Sequence, residues 1–343
     1  VSPRLQVFDA SLRDGSHTIR HQLEPAQVRV VAAALDGAGI DAIGVGHGEG
    51  LGASSLHFGE ALRPDVELVE AAAESVEHAV IAVTLIPGVG VRGHLRDAWE
   101  AGARRARIAT HATEADISLQ HIELARELGF QVHGDLMMPH LTSAAEFAAQ
   151  ATLMVDAGAE NVHVIDSAGT LMPGEVVERV DAFLDSFGDR AAAGIHAHDN
   201  IGLAVANTLA AAAAGATYAD ACLAGLGAGA GNTRLELLAV AMRRSGMESK
   251  LDLLALQDAA DYVVANVAPS TWPRIDQLPL NLGGAGVPSS FRLHIERAAE
   301  RFGIDPRLLI IELGNEKTVS GQEDLILRVA ARLAETERSG VPR

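Results

Sequence analysis

Eight short apolar runs alternate with seven longer amphipathic stretches before residue 260, at a spacing of roughly 30 residues, and this alternation confines the chain to a parallel α/β architecture. The apolar runs predict strands at residues 5–9, 42–46, 80–86, 105–110, 131–138, 161–166, 194–198 and 218–224. The amphipathic stretches predict helices at 26–38, 67–77, 92–101, 117–128, 144–157, 175–187 and 204–214. Gly39, Gly102, Gly129, Gly158 and Gly215 each follow a helical pattern and precede a strand, the position where a left-handed C-cap is wanted. Eight units suit a closed (β/α)8 TIM barrel better than an open sheet. The pattern breaks near residue 260, where Pro269, Pro273, Pro279, Gly283, Gly284, Gly286 and Pro288 punctuate the chain. Helical periodicity returns at 290–302, 306–313 and 322–334. The expected organisation is a barrel over residues 1–260 and a C-terminal helical domain over 261–343.

The bulk numbers narrow the function classes. Hydrophobic residues make up 48% of the 343, enough for a large core, and the formal net charge of −18 disfavours nucleic acid and anionic membrane as partners. A chain this acidic needs a local positive centre, an Arg or a bound metal, to handle an anionic substrate. The single cysteine, Cys222, excludes an internal disulfide and a four-cysteine zinc site, and suits a reducing cytoplasm. No apolar run approaches the length of a membrane span, and residues 1–9 enter a strand-like pattern without a signal-peptide profile.

In a barrel, chemistry sits at the C-terminal ends of the strands. The first strand runs into Asp14 and His17 by way of Arg13, and the seventh ends in His196-Ala197-His198. A His-x-His pair on a strand points both imidazoles to one face. With a carboxylate they form a facial set for a divalent metal with open positions, and Asp14 is only one strand away once the barrel closes. Without a metal they are two polar barrel-mouth histidines. Arg13 offers a planar fork for a carboxylate or an enolate oxygen, or else pairs with Asp14. His17 is either a general base or a plain loop histidine. The glycine run 225–231 lacks the Lys and Ser/Thr of a phosphate loop, and reads as close packing at the mouth. The only lysines, Lys250 and Lys317, fall outside the strands, so a Schiff-base aldolase is excluded and carbanion chemistry here would need a metal as electron sink.

Several segments resemble the metal-dependent barrel superfamily of isopropylmalate synthase and hydroxymethylglutaryl-CoA lyase, and within it the 4-hydroxy-2-oxovalerate aldolase family. They are Leu12-Arg13-Asp14-Gly15-Ser16-His17, His47-Gly48-Glu49-Gly50-Leu51-Gly52, Ala109-Thr110-His111-Ala112-Thr113-Glu114-Ala115-Asp116, Val164-Ile165-Asp166-Ser167-Ala168-Gly169, His196-Ala197-His198 and Gly321-Gln322-Glu323-Asp324. The resemblance implies cleavage or synthesis of 4-hydroxy-2-oxo acids, giving pyruvate and an aldehyde. It implies a divalent metal, Mn2+ before Mg2+ or Co2+, held by Asp14, His196 and His198. It further implies that Arg13 steadies the pyruvate enolate, that His17 takes the C4-hydroxyl proton, and that Arg13, Ser167 and His196 touch the substrate. A homo-oligomer and an acylating aldehyde dehydrogenase partner are also implied.

The departures from the family fall on the aldehyde side. Pro288 stands where the family usually has Tyr, Thr84 where it has Leu, and Asp135 where it has Phe; Gly44 replaces a common acidic residue. Thr84, Ile86, Asp135 and Pro288 are therefore the expected acceptor pocket, rebuilt for an aldehyde larger and more polar than acetaldehyde. The rival readings are a Claisen-type acyl-CoA synthase or lyase, toward which His198-Asp199-Asn200 leans, and a catalytically degenerate paralogue serving as a partner subunit.

Overall fold

The computed structural model describes residues 4–268 and 272–339. Val1–Pro3, Pro269 of the proline-rich break and residues 340–343 lie outside the described residues. Eight parallel strands close into a barrel in sequence order: β1 (Gln6–Leu12), β2 (Ala42–Val45), β3 (Val80–Leu85), β4 (Arg105–His111), β5 (Gln131–Met137), β6 (Asn161–Asp166), β7 (Ala192–Ala197) and β8 (Tyr218–Ala221). The closing register pairs Gln6 with Tyr218 and Asp9 with Ala221, which sets the end of β1 beside β8.

The outer layer is α1 (Pro25–Gly37), α2 (Asp65–Ala73), α3 (Arg92–Glu100), α4 (Leu119–Leu128), α5 (Ala144–Ala157), α6 (Pro173–Phe187), α7 (Ala204–Ala213) and α8 (Leu235–Arg244). α5 shows how local sequence starts such a helix. Ser143 accepts from the Glu146 backbone N–H while the Glu146 carboxylate accepts from the Ser143 N–H, a reciprocal capping box. Gly129 and Gly158 close α4 and α5 in left-handed conformation, as expected of them.

Strand ends differ from the sequence-based expectation where side chains take over the ladder. β8 stops at Ala221, three residues early, because the Leu223 backbone N–H is claimed by the Asp9 carboxylate and the Ser11 hydroxyl. β7 ends at Ala197, and His198 makes an isolated bridge to Asn232 instead of a ladder contact.

Three helices went unread in the sequence: α8, α9 (Leu253–Asn266) and α10 (Gln277–Ala285). α9 runs across residue 260, and its Leu256, Ala259, Ala260 and Val263 belong to the barrel core. α10 keeps Pro279 in its first turn, where the missing N–H has no partner to lose. Its Gly283 lies against the loop after β7; a Cβ there would meet Ile201 at 2.7 Å and Asn200 at 3.0 Å. With α11 (Arg292–Phe302), α12 (Pro306–Asn315) and α13 (Glu323–Ser339), α10 builds a second core around Leu282, Phe291, Ile295, Leu309 and Val329. The fold is thus a TIM barrel with a C-terminal helical domain seated at its catalytic end. Among the described residues no helix is long and apolar enough to cross a membrane.

Candidate active site

The period-2 rule holds at the end of β7. His196 and His198 share a face, their rings 5.1 Å apart, and Asp14 reaches the same point from the turn after β1. One ligand atom from each of the three lies within 4.8 Å of the others, and all three residues are buried.

Each donor is held in a form suited to a cation. His196 donates from Nδ1 to Asp220 Oδ2 at 2.9 Å, which fixes the tautomer and leaves Nε2 free as a ligand. Nδ1 of His198 is buried without a hydrogen-bond partner, an orphan that a bound cation would satisfy. Burial pushes His198 down to about 4, so it is neutral at pH 7. Burial alone would raise the Asp14 carboxyl. The charges of Arg13, His198, His196 and His17 outweigh it and hold the group well below the usual carboxylate range. Asp14 also accepts from Arg13 Nη1 at 3.0 Å and from Asn232 Nδ2 at 2.7 Å. Two imidazoles and one ionised carboxylate fit a divalent metal.

These residues line a cavity of about 60 Å³ at the C-terminal mouth of the barrel. Arg13, His17, Thr84, Ile86, Asp135 and Ser167 line it too, so the structure gathers nearly every predicted site residue in one place. Arg13 Nη1 bonds Asp14 and the Gly48 carbonyl, while its buried Nε has no partner and is free to meet a substrate oxygen. Burial lowers His17 to about 4, leaving its imidazole neutral and able to accept a proton at pH 7. Gly48 makes room for that ring; a Cβ there would stand 2.4 Å from His17 Nε2.

Pro288 is a correction. It is absent from the cavity lining and precedes the short turn Ser289–Phe291, whose Ser290 lines the cavity instead. Asp135 also plays a different part from the one expected. The buried carboxylate has a partner, Arg107, which donates from Nε at 2.9 Å and Nη2 at 3.0 Å. Arg107 lies at the barrel centre and also donates through Nη1 to Asp220, the carboxylate behind His196. His163 sits between the two acids, 3.2 Å from Asp135 and 3.7 Å from Asp220. Arg107, Asp220 and His163, the partners of Asp135 in this buried cluster, were missed in the sequence as site residues, as were Asn232, Glu49, Ser290 and Ser320. For the cluster a signal existed: alternate, inward positions of β4, β5, β6 and β8 carry charged or imidazole side chains.

The barrel, residues 4–263, matches the HMGL-like family, and residues 273–335 match the DmpG-like communication domain. Fold and site together define a carbon–carbon lyase built on a (β/α)8 barrel. The chain is 48% identical to the 4-hydroxy-2-oxovalerate aldolase of Roseiflexus castenholzii, with 97% of each chain covered. It is 47% identical to that of Thermus thermophilus, over 96% of this chain and 95% of the relative. It belongs to the 4-hydroxy-2-oxovalerate aldolase family. Its fold is also shared with the carboxyl transferase domain of Rhizobium etli pyruvate carboxylase, solved with pyruvate and biocytin, at a TM-score of 0.84 and 16% identity over 98% of this chain and 61% of that one.

Proposed function

We propose that this chain is a divalent-metal-dependent aldolase that splits 4-hydroxy-2-oxo acids into pyruvate and an aldehyde, with Mn2+ held by Asp14, His196 and His198. The observation that carries the reading is the convergence of that buried triad with Arg13 and His17 on a single cavity. A divalent cation at the triad supplies a Lewis acid that draws electron density toward the 2-oxo group. The protein's own groups do the rest. Arg13 turns its unpartnered Nε to the substrate and balances the negative charge as it grows on the enolate oxygen. His17 takes the C4-hydroxyl proton, the C4 carbonyl forms as the C3–C4 bond breaks, and the electron pair passes to the pyruvate enolate. Ser167, just past the end of β6, contacts the pyruvate portion in the same cavity.

The aldehyde is proposed to differ from acetaldehyde. With Pro288 outside the lining and the Asp135 carboxylate engaged by Arg107, this rests on the hydroxyl-bearing Thr84 and Ser290 beside Ile86. Pyruvate release measured against a panel of 4-hydroxy-2-oxo acids tests both points. No release from any member refutes the aldolase reading, and a clear preference for the acetaldehyde- or propanal-yielding acid refutes the altered acceptor. The communication domain supports a protein partner, which we propose to be an acylating aldehyde dehydrogenase working in the cytoplasm with a homo-oligomer of this chain. Co-purification with such an enzyme, and retention of the aldehyde between the two, check that assignment.

A further inference from the structure

Glu49 is unused by the mechanism above, yet it lies at its centre. It follows β2 in the loop 46–50, lines the catalytic cavity, and brings Oε1 to 3.8 Å from Nε2 of His17. Both side chains are 13% exposed, so neither is held by bulk water. The His17 ring lies directly on Gly48, the residue next to Glu49. Ser290 hydrogen-bonds the Glu49 carboxylate from the C-terminal domain. The nearest guanidinium, Arg13, spends its Nη1 on Asp14 and the Gly48 carbonyl.

We propose that Glu49 is a positioning residue for His17: its carboxylate holds the imidazole proton on Nε2, so that Nδ1 accepts the C4-hydroxyl proton, and it carries the counter-charge while His17 is an imidazolium. In that step the O–H bond of the hydroxyl breaks and an N–H bond forms at Nδ1. The C3–C4 electron pair moves into the pyruvate enolate, and C4 becomes the aldehyde carbon. A carboxylate behind a histidine base does the same in hydrolytic triads. A separation of 3.8 Å is longer than a hydrogen bond, and such contacts tighten when substrate fills the site or are spanned by one water.

The surroundings favour this role. Glu49 is faced by Glu323 at the start of α13, by Asp14 and by Arg13; His17 is faced by Asp14, His47 and Arg13, donates a hydrogen bond to the Gly48 carbonyl, and has His21 edge-on at 5.0 Å. Glu323 is itself bonded to His57. Burial, with Glu323 and Asp14 nearby, pushes Glu49 up to about 7. A carboxyl so placed gains most from a cation beside it, and the imidazolium of His17 is the cation that the reaction creates there.

The inference rests on the aldolase reading, so its test has a readout that needs no turnover. Nitrogen-15 spectra of the imidazoles at about pH 8.5, above the raised Glu49 value, are expected to show His17 as a single Nε2–H tautomer in the parent and as a mixture in Glu49→Gln. Cleavage kcat is expected to fall about 10- to 100-fold in Glu49→Gln with KM within about threefold. Glu49→Asp keeps the charge one methylene further back and is expected to recover the Nε2–H tautomer and most of the rate. Parent-like tautomer and kcat in Glu49→Gln would overturn the proposal, as would equal slowing by Gln and Asp. A Glu49-dependent tautomer in a chain that cleaves no 4-hydroxy-2-oxo acid supports the positioning and overturns the aldolase reading instead.

Discussion

Replacing Arg107 by Met tests whether the barrel is held together beneath its site by charge. The guanidinium is fully buried and makes three hydrogen bonds to Asp135, at 3.2, 2.9 and 3.0 Å, plus one to Asp220. Met fills a similar volume, so the cavity cost is small and the loss is electrostatic. Removing one member of a buried ion pair costs about 3–5 kcal/mol, because the charge left behind has no solvent. At about 2.1 cal/mol/K of unfolding entropy per residue, that corresponds to a fall in Tm of about 4–7 °C for the whole chain. The deficit has a defined pH dependence. In the parent, Arg107 offsets burial and holds Asp135 and Asp220 below the carboxylate range. Their stabilisation is in place above the unfolded pKa of about 3.9 and is lost as pH falls through the lowered folded values. In Arg107→Met the main opposition to burial is gone, with only the His163 and His196 contacts left to hold the acids down, and both rise. Protonation then favours the folded state, and the deficit is largest above the raised values and shrinks as pH falls from about 7 to about 5. His163, within reach of both acids, takes up a proton more readily once Arg107 is gone and shrinks the deficit in the same direction. Urea unfolding of parent and variant at both pH values is the assay. The added change Asp135→Leu is expected to recover part of the loss. A deficit under about 1 kcal/mol, or one equal at both pH values, would refute the reasoning.

His198→Ala removes one of the three proposed ligands, and the purified variant is expected to contain far less divalent metal than the parent; equal content sinks the assignment. His17→Ala is expected to abolish cleavage while sparing metal binding, whereas Arg13→Ala slows both cleavage and pyruvate C3 proton exchange, and Arg13→Lys rescues neither because a point charge does not reproduce the fork. Asp220→Asn disturbs the hydrogen bond that orients His196 and is expected to weaken metal affinity about 10- to 100-fold by competition titration, with unchanged affinity counting against the orienting role.

The buried Asp14–His196–His198 triad and its neighbours were legible in the sequence because two rules are local. Side chains alternate along a strand, so His196 and His198 had to share a face, and a closed barrel had to return β1, with Arg13, Asp14 and His17 behind it, to within one strand of β7. The absence of any strand lysine was equally readable, and it argued against a Schiff base. What escaped depends on which residues meet across the barrel. Arg107, Asp135, His163 and Asp220 come from four different strands, and nothing in the spacing along one strand says that a carboxylate on β5 will spend itself on a guanidinium of β4. The sequence could state that a buried Asp135 needs a partner, but only closure of the barrel chose Arg107 over a substrate. Likewise the chain from Gly286 to Ser290 carries several polar candidates, and its path against the loops after β6 and β7 decides that Ser290, not Pro288, lines the cavity. Glu49 is the same case. It is one more acidic loop residue until the missing Cβ of Gly48 lets His17 settle beside it, and its low exposure, which no local pattern records, makes its charge matter to the base.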